Sequence, residues 1–76
     1  MDKETFRSIR TGADLSQSQI ADLLCYNEAS GKKTVAAIEK GKSWVTGPVE
    51  IIMHLIAAGY LDEVRAASEK VWEGSK

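Results

Sequence analysis

Two stretches of the sequence decide the fold: residues 15–21 read LSQSQIA, and residues 32–42 read KKTVAAIEKGK. In the first stretch, Ser16 stands three positions before Gln19, which is the spacing of a capping box at a helix N-terminus. In the second, apolar residues recur at helical spacing ahead of a glycine that is typical of a helix end. The sequence therefore predicts two short helices joined by a polar, glycine-containing loop.

The remainder of the chain has the same helical period. Apolar residues recur three and four positions apart, and no stretch alternates apolar and polar residues as an exposed strand would. We therefore expect an all-α fold of five helices in one domain over residues 1–76, with a core at about residues 3–60 and a C-terminal helix at about residues 61–72.

Local signals predict where individual helices begin and end. Gly12 and Gly59 are expected to terminate the first and fourth helices as C-terminal glycines. The hydroxyl of Thr46 is expected to cap the fourth helix, with Pro48 in its first turn.

Length and composition exclude several classes of protein. A chain of 76 residues, 43% hydrophobic and 28% charged, has the composition of a folded domain with a single small core. Its longest apolar run is too short for a transmembrane helix, and its N-terminus lacks the apolar segment of a secretory signal. The single cysteine, Cys25, can form neither an intrachain disulfide nor, alone, a zinc site. We expect a cytoplasmic protein without metal or cofactor.

The charge is unevenly distributed, although the net charge is only -1. Residues 31–48 hold four lysines and one glutamate, a local charge of +3, while the segments on either side are each at -2. Helical spacing places five residues of this segment on one face. They are Lys32, Lys33, Ala36, Ala37 and Lys40. This basic face predicts binding to nucleic acid, the plain alternative being a solvated surface.

The two stretches together resemble the lambda repressor-like (Cro/cI, Xre) helix-turn-helix family, in which an LSQ…(I/L)A..L helix precedes an (S/T)V..(I/L)E.G recognition helix. The resemblance covers about residues 3–60. It includes Arg10, and it implies an ion pair between Arg10 and Glu39 that ties helix 1 to the recognition helix. One departure is the loop from Leu24 to Val35, which is longer than in the commonest members of the family.

The resemblance implies that the third helix enters the major groove of DNA, where a helix can reach base edges. The expected base contacts are Lys32, Lys33, Thr34, Ala36, Ala37 and Lys40. The expected phosphate contacts are Gln17, Lys42, Ser43 and Thr46. For Thr34, a hydroxyl bonded to the local helix backbone is the alternative.

The function implied is that of a sequence-specific transcriptional regulator. We expect a homodimeric repressor of bacterial or phage type on an inverted-repeat operator, with recognition helices about 34 Å apart. Autoregulation is compatible with this prediction, as is the type of regulator that accompanies anti-CRISPR genes. The alternative is an antitoxin, or another protein-interaction module on the same fold.

Two placements of apolar residues are less constrained by the sequence. The C-terminal helix either packs against a second subunit or folds back on its own bundle. Its candidate dimer contacts are Leu61, Val64, Val71 and Trp72. Trp44 either packs on the core, which we favour, or leans on the sugar-phosphate backbone.

The sequence does not predict an enzyme. His54, the only histidine, lies in an apolar helix without a nucleophile at a spacing that implies activation, and Cys25 is expected to be a packed thiol. Residues 36–43 match a loose form of the phosphate-binding loop. Such a loop follows a buried strand, whereas these residues continue a helical pattern.

Overall fold

The computed structural model describes residues 1–74 and contains, in this part of the chain, five α-helices and no strand. In chain order they are α1 (Lys3–Gly12), α2 (Gln17–Leu23), α3 (Gly31–Glu39), α4 (Gly47–Ala57) and α5 (Leu61–Gly74). The prediction of an all-α, five-helix chain is confirmed. Ser75 and Lys76, the end of the predicted domain, lie outside the described residues.

Side-chain caps begin the first two helices. The Asp2 carboxylate accepts a hydrogen bond from the backbone N–H of Thr5 at 2.7 Å. The predicted capping box is confirmed, because Ser16 Oγ accepts from the N–H of Gln19 at 3.0 Å and Gln19 Oε1 accepts from the N–H of Ser16 at 2.8 Å. These bonds satisfy backbone donors that have no partner inside the helix.

The beginning of α4 differs from the prediction. Thr46 is its N-cap residue in an extended conformation, but among the described residues its hydroxyl makes no capping hydrogen bond. Pro48 does lie in the first turn of α4. An N–H at this position would have no hydrogen-bond partner inside the helix, so proline loses no bond here. The expected Thr46 cap is therefore wrong, and Pro48 remains as the signal that begins the helix.

Each of the helices α1 to α4 ends in a Schellman motif, in which the chain turns through one residue of positive φ. These residues are Asp14, Cys25, Gly41 and Gly59, with φ of 59°, 58°, 77° and 98°. In every case the next N–H bonds the carbonyl five residues earlier, at 2.9–3.1 Å. The prediction for Gly59 is confirmed. Gly12 is the last residue of α1. The left-handed position after the helix, which we expected Gly12 to occupy, is occupied by Asp14.

The core lies where the five helices meet. Every helix contributes to it, and the side chains least accessible to solvent are Phe6, Ile20, Val35, Ile38 and Met53. Among the described residues, none of the helices has the length and apolar character needed to cross a membrane.

The connection between α2 and α3 brings these two helices into close contact. Asn27 organises the turn: its side-chain oxygen accepts from the N–H of Ala29 at 2.8 Å, and its carbonyl accepts from the N–H of Gly31 at 2.6 Å. A Cβ on Gly31 would lie only 3.0 Å from the Cβ of Ala21. The absence of a side chain at Gly31 therefore sets how closely α3 approaches α2.

Helix α5 folds back onto its own bundle. Val64 is buried in the core, and both the Ser68 hydroxyl and the Trp72 indole N–H donate to the carbonyl of Asp22, at 3.1 and 2.8 Å. Of the two predicted placements, the chain thus adopts the intramolecular one for this side of α5. Val64 and the indole of Trp72, expected as dimer contacts, are occupied within the chain.

Candidate nucleic-acid interface

The outer face of α3 carries the basic residues that the sequence placed there. Lys32, Lys33 and Lys40 are exposed, while Ala36 and Ala37 between them are half-buried. The opposite side of α3 packs into the core. This face of α3 therefore has lysines at both ends and two alanines in the middle. Because the alanine side chains are small, another surface can approach the helix closely there.

The one acidic residue of this segment is withdrawn from solvent by an ion pair. Arg10 on α1 donates to both carboxylate oxygens of Glu39, with Nε to Oε2 at 2.6 Å and Nη2 to Oε1 at 2.9 Å. Arg10 Nη1 also donates to the carbonyl of Leu15 at 2.9 Å. The two side chains are only 12% and 7% exposed. The structure therefore contains the ion pair that the family resemblance implies, and it fixes α3 to α1 by a two-pronged contact.

Gln17 joins this network, with its side-chain Nε2 donating to Glu39 Oε1 at 3.4 Å. Burial acts to raise the pKa of the Glu39 carboxyl. The hydrogen bonds from Arg10 and Gln17, and the charges of Arg10 and Arg7, outweigh burial, so this pKa lies below its ordinary value. Glu39 therefore stays ionised near neutral pH, and its charge is compensated inside the molecule.

The hydroxyl of Thr34 donates to the carbonyl of Ser30 at 3.1 Å. This is the local backbone bond considered as the alternative to a DNA contact. The oxygen keeps its capacity to accept a hydrogen bond, so a contact from a base amino group stays a prediction.

The loop after α3 extends the basic face. Lys42, Ser43 and Thr46, the expected phosphate contacts, are all exposed. The side chain of Lys3 from α1 lies over Gly41: a Cβ built on Gly41 would be 3.3 Å from Lys3 Cδ and 3.8 Å from its Nζ. A fifth lysine thus joins the cationic surface from the other end of the chain.

Trp44 in the same loop is 91% exposed. The prediction that it packs on the core is wrong. Below this loop the core is covered by the half-buried Val45 and the buried Val49 instead of by the indole of Trp44.

Sequence reasoning missed two cations near this surface, Lys3 and Arg7. Lys3 lies against the loop after α3, and the charge of Arg7 lowers the pKa of Glu39. Both belong to α1, more than thirty positions from their neighbours in space. Their spacing along α1 gives no sign of which face meets α3, so no local signal could have found them.

A second surface of the molecule is an apolar groove of about 460 Å³ between α4 and α5, with residues 23–25 at the end of α2 also in its lining. Its rim includes Leu55, Tyr60 and Val71, which are 41%, 52% and 58% exposed. Val71, a predicted dimer contact, therefore remains accessible. Leu61, another, is half-buried against the core.

The residues weighed for catalysis are not assembled into a site. His54 is exposed on α4, and Cys25 is partly buried with its Sγ 3.5 Å from Ser68 Oγ. Residues 36–39, the first half of the loose phosphate-binding match, are helical.

We compared the chain with known protein families, curated proteins and solved structures. No protein-family model, no curated protein and no solved structure matches the chain.

Proposed function

We propose that this protein is a sequence-specific DNA-binding transcriptional regulator of the lambda repressor-like helix-turn-helix type. Helices α2 and α3 form the motif, and α3 enters the major groove. The regulator acts as a homodimeric repressor of bacterial or phage type on an inverted-repeat operator. Cytoplasmic location and the absence of enzymatic activity belong to the same proposal.

The observation that carries the proposal is the charge presented by α3 and the loop that follows. Four lysines of this segment are exposed, while its only acid, Glu39, is paired with Arg10 and has a side chain that is only 7% exposed. A surface that is merely solvated would be expected to mix both signs of charge. Here the anion is removed from the face and the cations remain, which is the arrangement that phosphate binding requires.

The rigidity of α3 supports the same function. A reading helix must hold its side chains in fixed positions relative to the groove. The bidentate Arg10–Glu39 pair connects α3 to α1, and the close approach at Gly31 and Ala21 seats it on α2. Lys33 stays exposed beside both contacts.

We assign base reading to the face of α3 and phosphate binding to its surroundings. Lys32 and Lys33 are the candidates for guanine contacts, and Ala36 and Ala37 are small enough to meet thymine methyls. Gln17 Nε2 carries two hydrogens, so its bond to Glu39 leaves one for a phosphate.

The test is a selection of bound sequences from random duplex DNA at near-physiological salt, with the oligomeric state measured by sedimentation. We expect enrichment of a palindrome whose half-sites are about one helical turn apart. A folded protein that enriches no sequence would contradict the proposal.

A salt titration separates phosphate contacts from base contacts. The logarithm of DNA affinity should fall with the logarithm of salt concentration, and Lys42→Ala should reduce the slope by about one unit. Lys33→Ala should instead weaken binding to the selected sequence by about 1–3 kcal/mol more than to random DNA. Lys70→Ala, an exposed lysine on α5, is the matched control and should change neither quantity.

The apolar groove between α4 and α5 favours a second candidate, a protein-interaction module such as an antitoxin. The same groove also offers a surface for the homodimer, through Val71 and Leu55 rather than through the buried Val64. A salt slope near zero together with a tight protein partner would favour the second candidate.

A further inference from the structure

Trp44 lies at the edge of a concavity that belongs neither to the outer face of α3 nor to the apolar groove. The concavity has a volume of about 400 Å³ and lies between the start of α1 and the loop after α3. Ile38 and Val45 contribute apolar lining, while Lys3 and Lys42 contribute cations. None of the described residues that line it is acidic. The site thus combines a flat aromatic ring, apolar walls and two positive charges.

The position of Lys3 in this site depends on Gly41. Gly41 has a φ of 77°, and a Cβ there would lie 3.3 Å from Lys3 Cδ, closer than ordinary side-chain contact. The stem of Lys3 therefore rests on bare backbone, which directs its ammonium group to the same concavity as Lys42. The first residue of α1 and the loop after α3 thus contribute to one cationic site.

This combination has the chemistry of a nucleotide-binding site. An exposed indole offers a face on which a base can stack, and ammonium groups bind phosphate. The volume lies within the range of clefts that hold small ligands, about 300–1,000 Å³. In an intact duplex every internal base is already stacked on both sides, so an indole on the outside of the double helix cannot use this contact.

We propose that Trp44, Lys3 and Lys42 bind a nucleotide whose base is unpaired, with the base on the indole and its phosphate on the two lysines. The site goes beyond the proposed function, because its ligand is a single-stranded segment and not the duplex read by α3. A free nucleotide presents the same chemistry, and the experiment below distinguishes the two sources.

The experiment measures binding of a labelled eight-nucleotide thymidine strand and of a labelled blunt-ended hairpin to the full chain, by fluorescence anisotropy. Trp44→Ala should weaken binding of the strand about 5-fold to 100-fold, as loss of one stacked base does. Trp44→Phe, which keeps an aromatic face, should restore most of that loss. Tyr60→Ala removes an exposed aromatic ring from the groove between α4 and α5 and should change nothing. Since Trp44 is 91% exposed, its removal leaves the core intact, which circular dichroism checks.

Three results would overturn the proposal: no binding of the strand by the unchanged protein, no effect of Trp44→Ala, or an equal effect of Trp44→Ala on the strand and the hairpin. The last would place Trp44 on the duplex backbone. Competition with thymidine monophosphate identifies the source. Displacement at the same concentration as an unlabelled strand supports a free nucleotide in the site, and displacement only at far higher concentration supports a strand.

The outcome is separable from that of the proposed function. Lys33→Ala tests sequence preference on duplex DNA, whereas Trp44→Ala tests the nucleotide site on the thymidine strand, and the control Lys70→Ala on α5 should change neither. Either proposal can therefore fail while the other stands.

Discussion

At the scale of single residues, Asp14 occupies a conformation that most residues avoid. Its φ is 59°, and the left-handed region costs residues with a Cβ about 1–2 kcal/mol, although aspartate tolerates it better than most. We expect Asp14→Gly to raise the free energy of unfolding by about 0.5–1 kcal/mol, measured by urea denaturation. Asp14→Ala keeps the Cβ and loses the polar side chain, so it should destabilise. The reverse order of the two variants would contradict this account of the turn.

Two glycines offer a matched pair of substitutions. A Cβ at Gly31 would lie 3.0 Å from the Cβ of Ala21, whereas one at Gly12 would meet nothing within 4 Å. Gly31→Ala must push α3 away from α2 and should destabilise the fold by about 1–3 kcal/mol. Gly12→Ala, in the last turn of α1, should stabilise it by about 0.5–1 kcal/mol. Thermal unfolding of both variants checks the prediction. Equal effects of the two substitutions on stability would show that the space between Gly31 and Ala21 can accommodate a methyl group.

Residue-level predictions succeeded where the signal is local. The capping box needs only Ser16 and Gln19, three positions apart, and it is present. Helix α1 ends at Gly12, but the left-handed residue after it is Asp14, because a glycine favours that position only statistically and aspartate can take the same backbone conformation. Trp44 was misplaced because its exposure depends on which other side chains have already closed the core beneath the loop.

At the scale of elements, the Arg10–Glu39 pair holds α3 in place. Glu39→Gln keeps the shape of the side chain and removes its charge, leaving the guanidinium of Arg10 with an uncompensated charge at 12% exposure. We expect a loss of about 3 kcal/mol in the free energy of unfolding. Glu69→Gln, an exposed acid on α5, is the control and should have little effect.

The pH dependence of stability follows from the same pair. The pKa of Glu39 is lowered from 4.5 in the folded chain, so its contribution is fully present above that pH and is lost as pH falls through the folded pKa. The unfolding free energy of the native chain should therefore drop more steeply below about pH 4.5 than that of Glu39→Gln. Parallel curves for the two proteins would mean that the carboxyl is not stabilised by folding.

The arrangement of elements was only partly predictable from the sequence. Helical period gives five helices, and the family resemblance implies the contact between Arg10 and Glu39. Nothing local indicates that α1 brings Lys3 to the loop after α3, or that Trp72 reaches the carbonyl of Asp22. These are contacts between distant parts of the chain, and they are decided by how the helices pack.

At the scale of the whole molecule, one side of α5 contributes to the stability of the monomer and another side is available for contact with a second chain. Val64 is buried in the core, whereas Val71 on the same helix is 58% exposed beside the apolar groove. Val64→Ala should lower the free energy of unfolding by about 2 kcal/mol, and Val71→Ala should leave it unchanged. If the groove joins two copies, Val71→Ala should weaken the dimer in sedimentation. A loss of stability in Val71→Ala would instead place this residue in the monomer's own packing.

The four Schellman motifs also affect how quickly the chain folds. Each is closed by a residue within five positions, so helix ends form without waiting for distant contacts. Helices of this kind form in about 0.1–1 μs, and helical bundles fold in microseconds to milliseconds. A much longer connection is the indole bond of Trp72, which spans 50 positions to Asp22. In a stopped-flow experiment on Trp44→Phe, in which Trp72 is the remaining tryptophan, the emission should therefore report the slowest phase, the docking of α5. Because α5 follows the first four helices in the chain, these helices can form during synthesis while α5 is still inside the ribosome, and α5 then adds Val64 to the core.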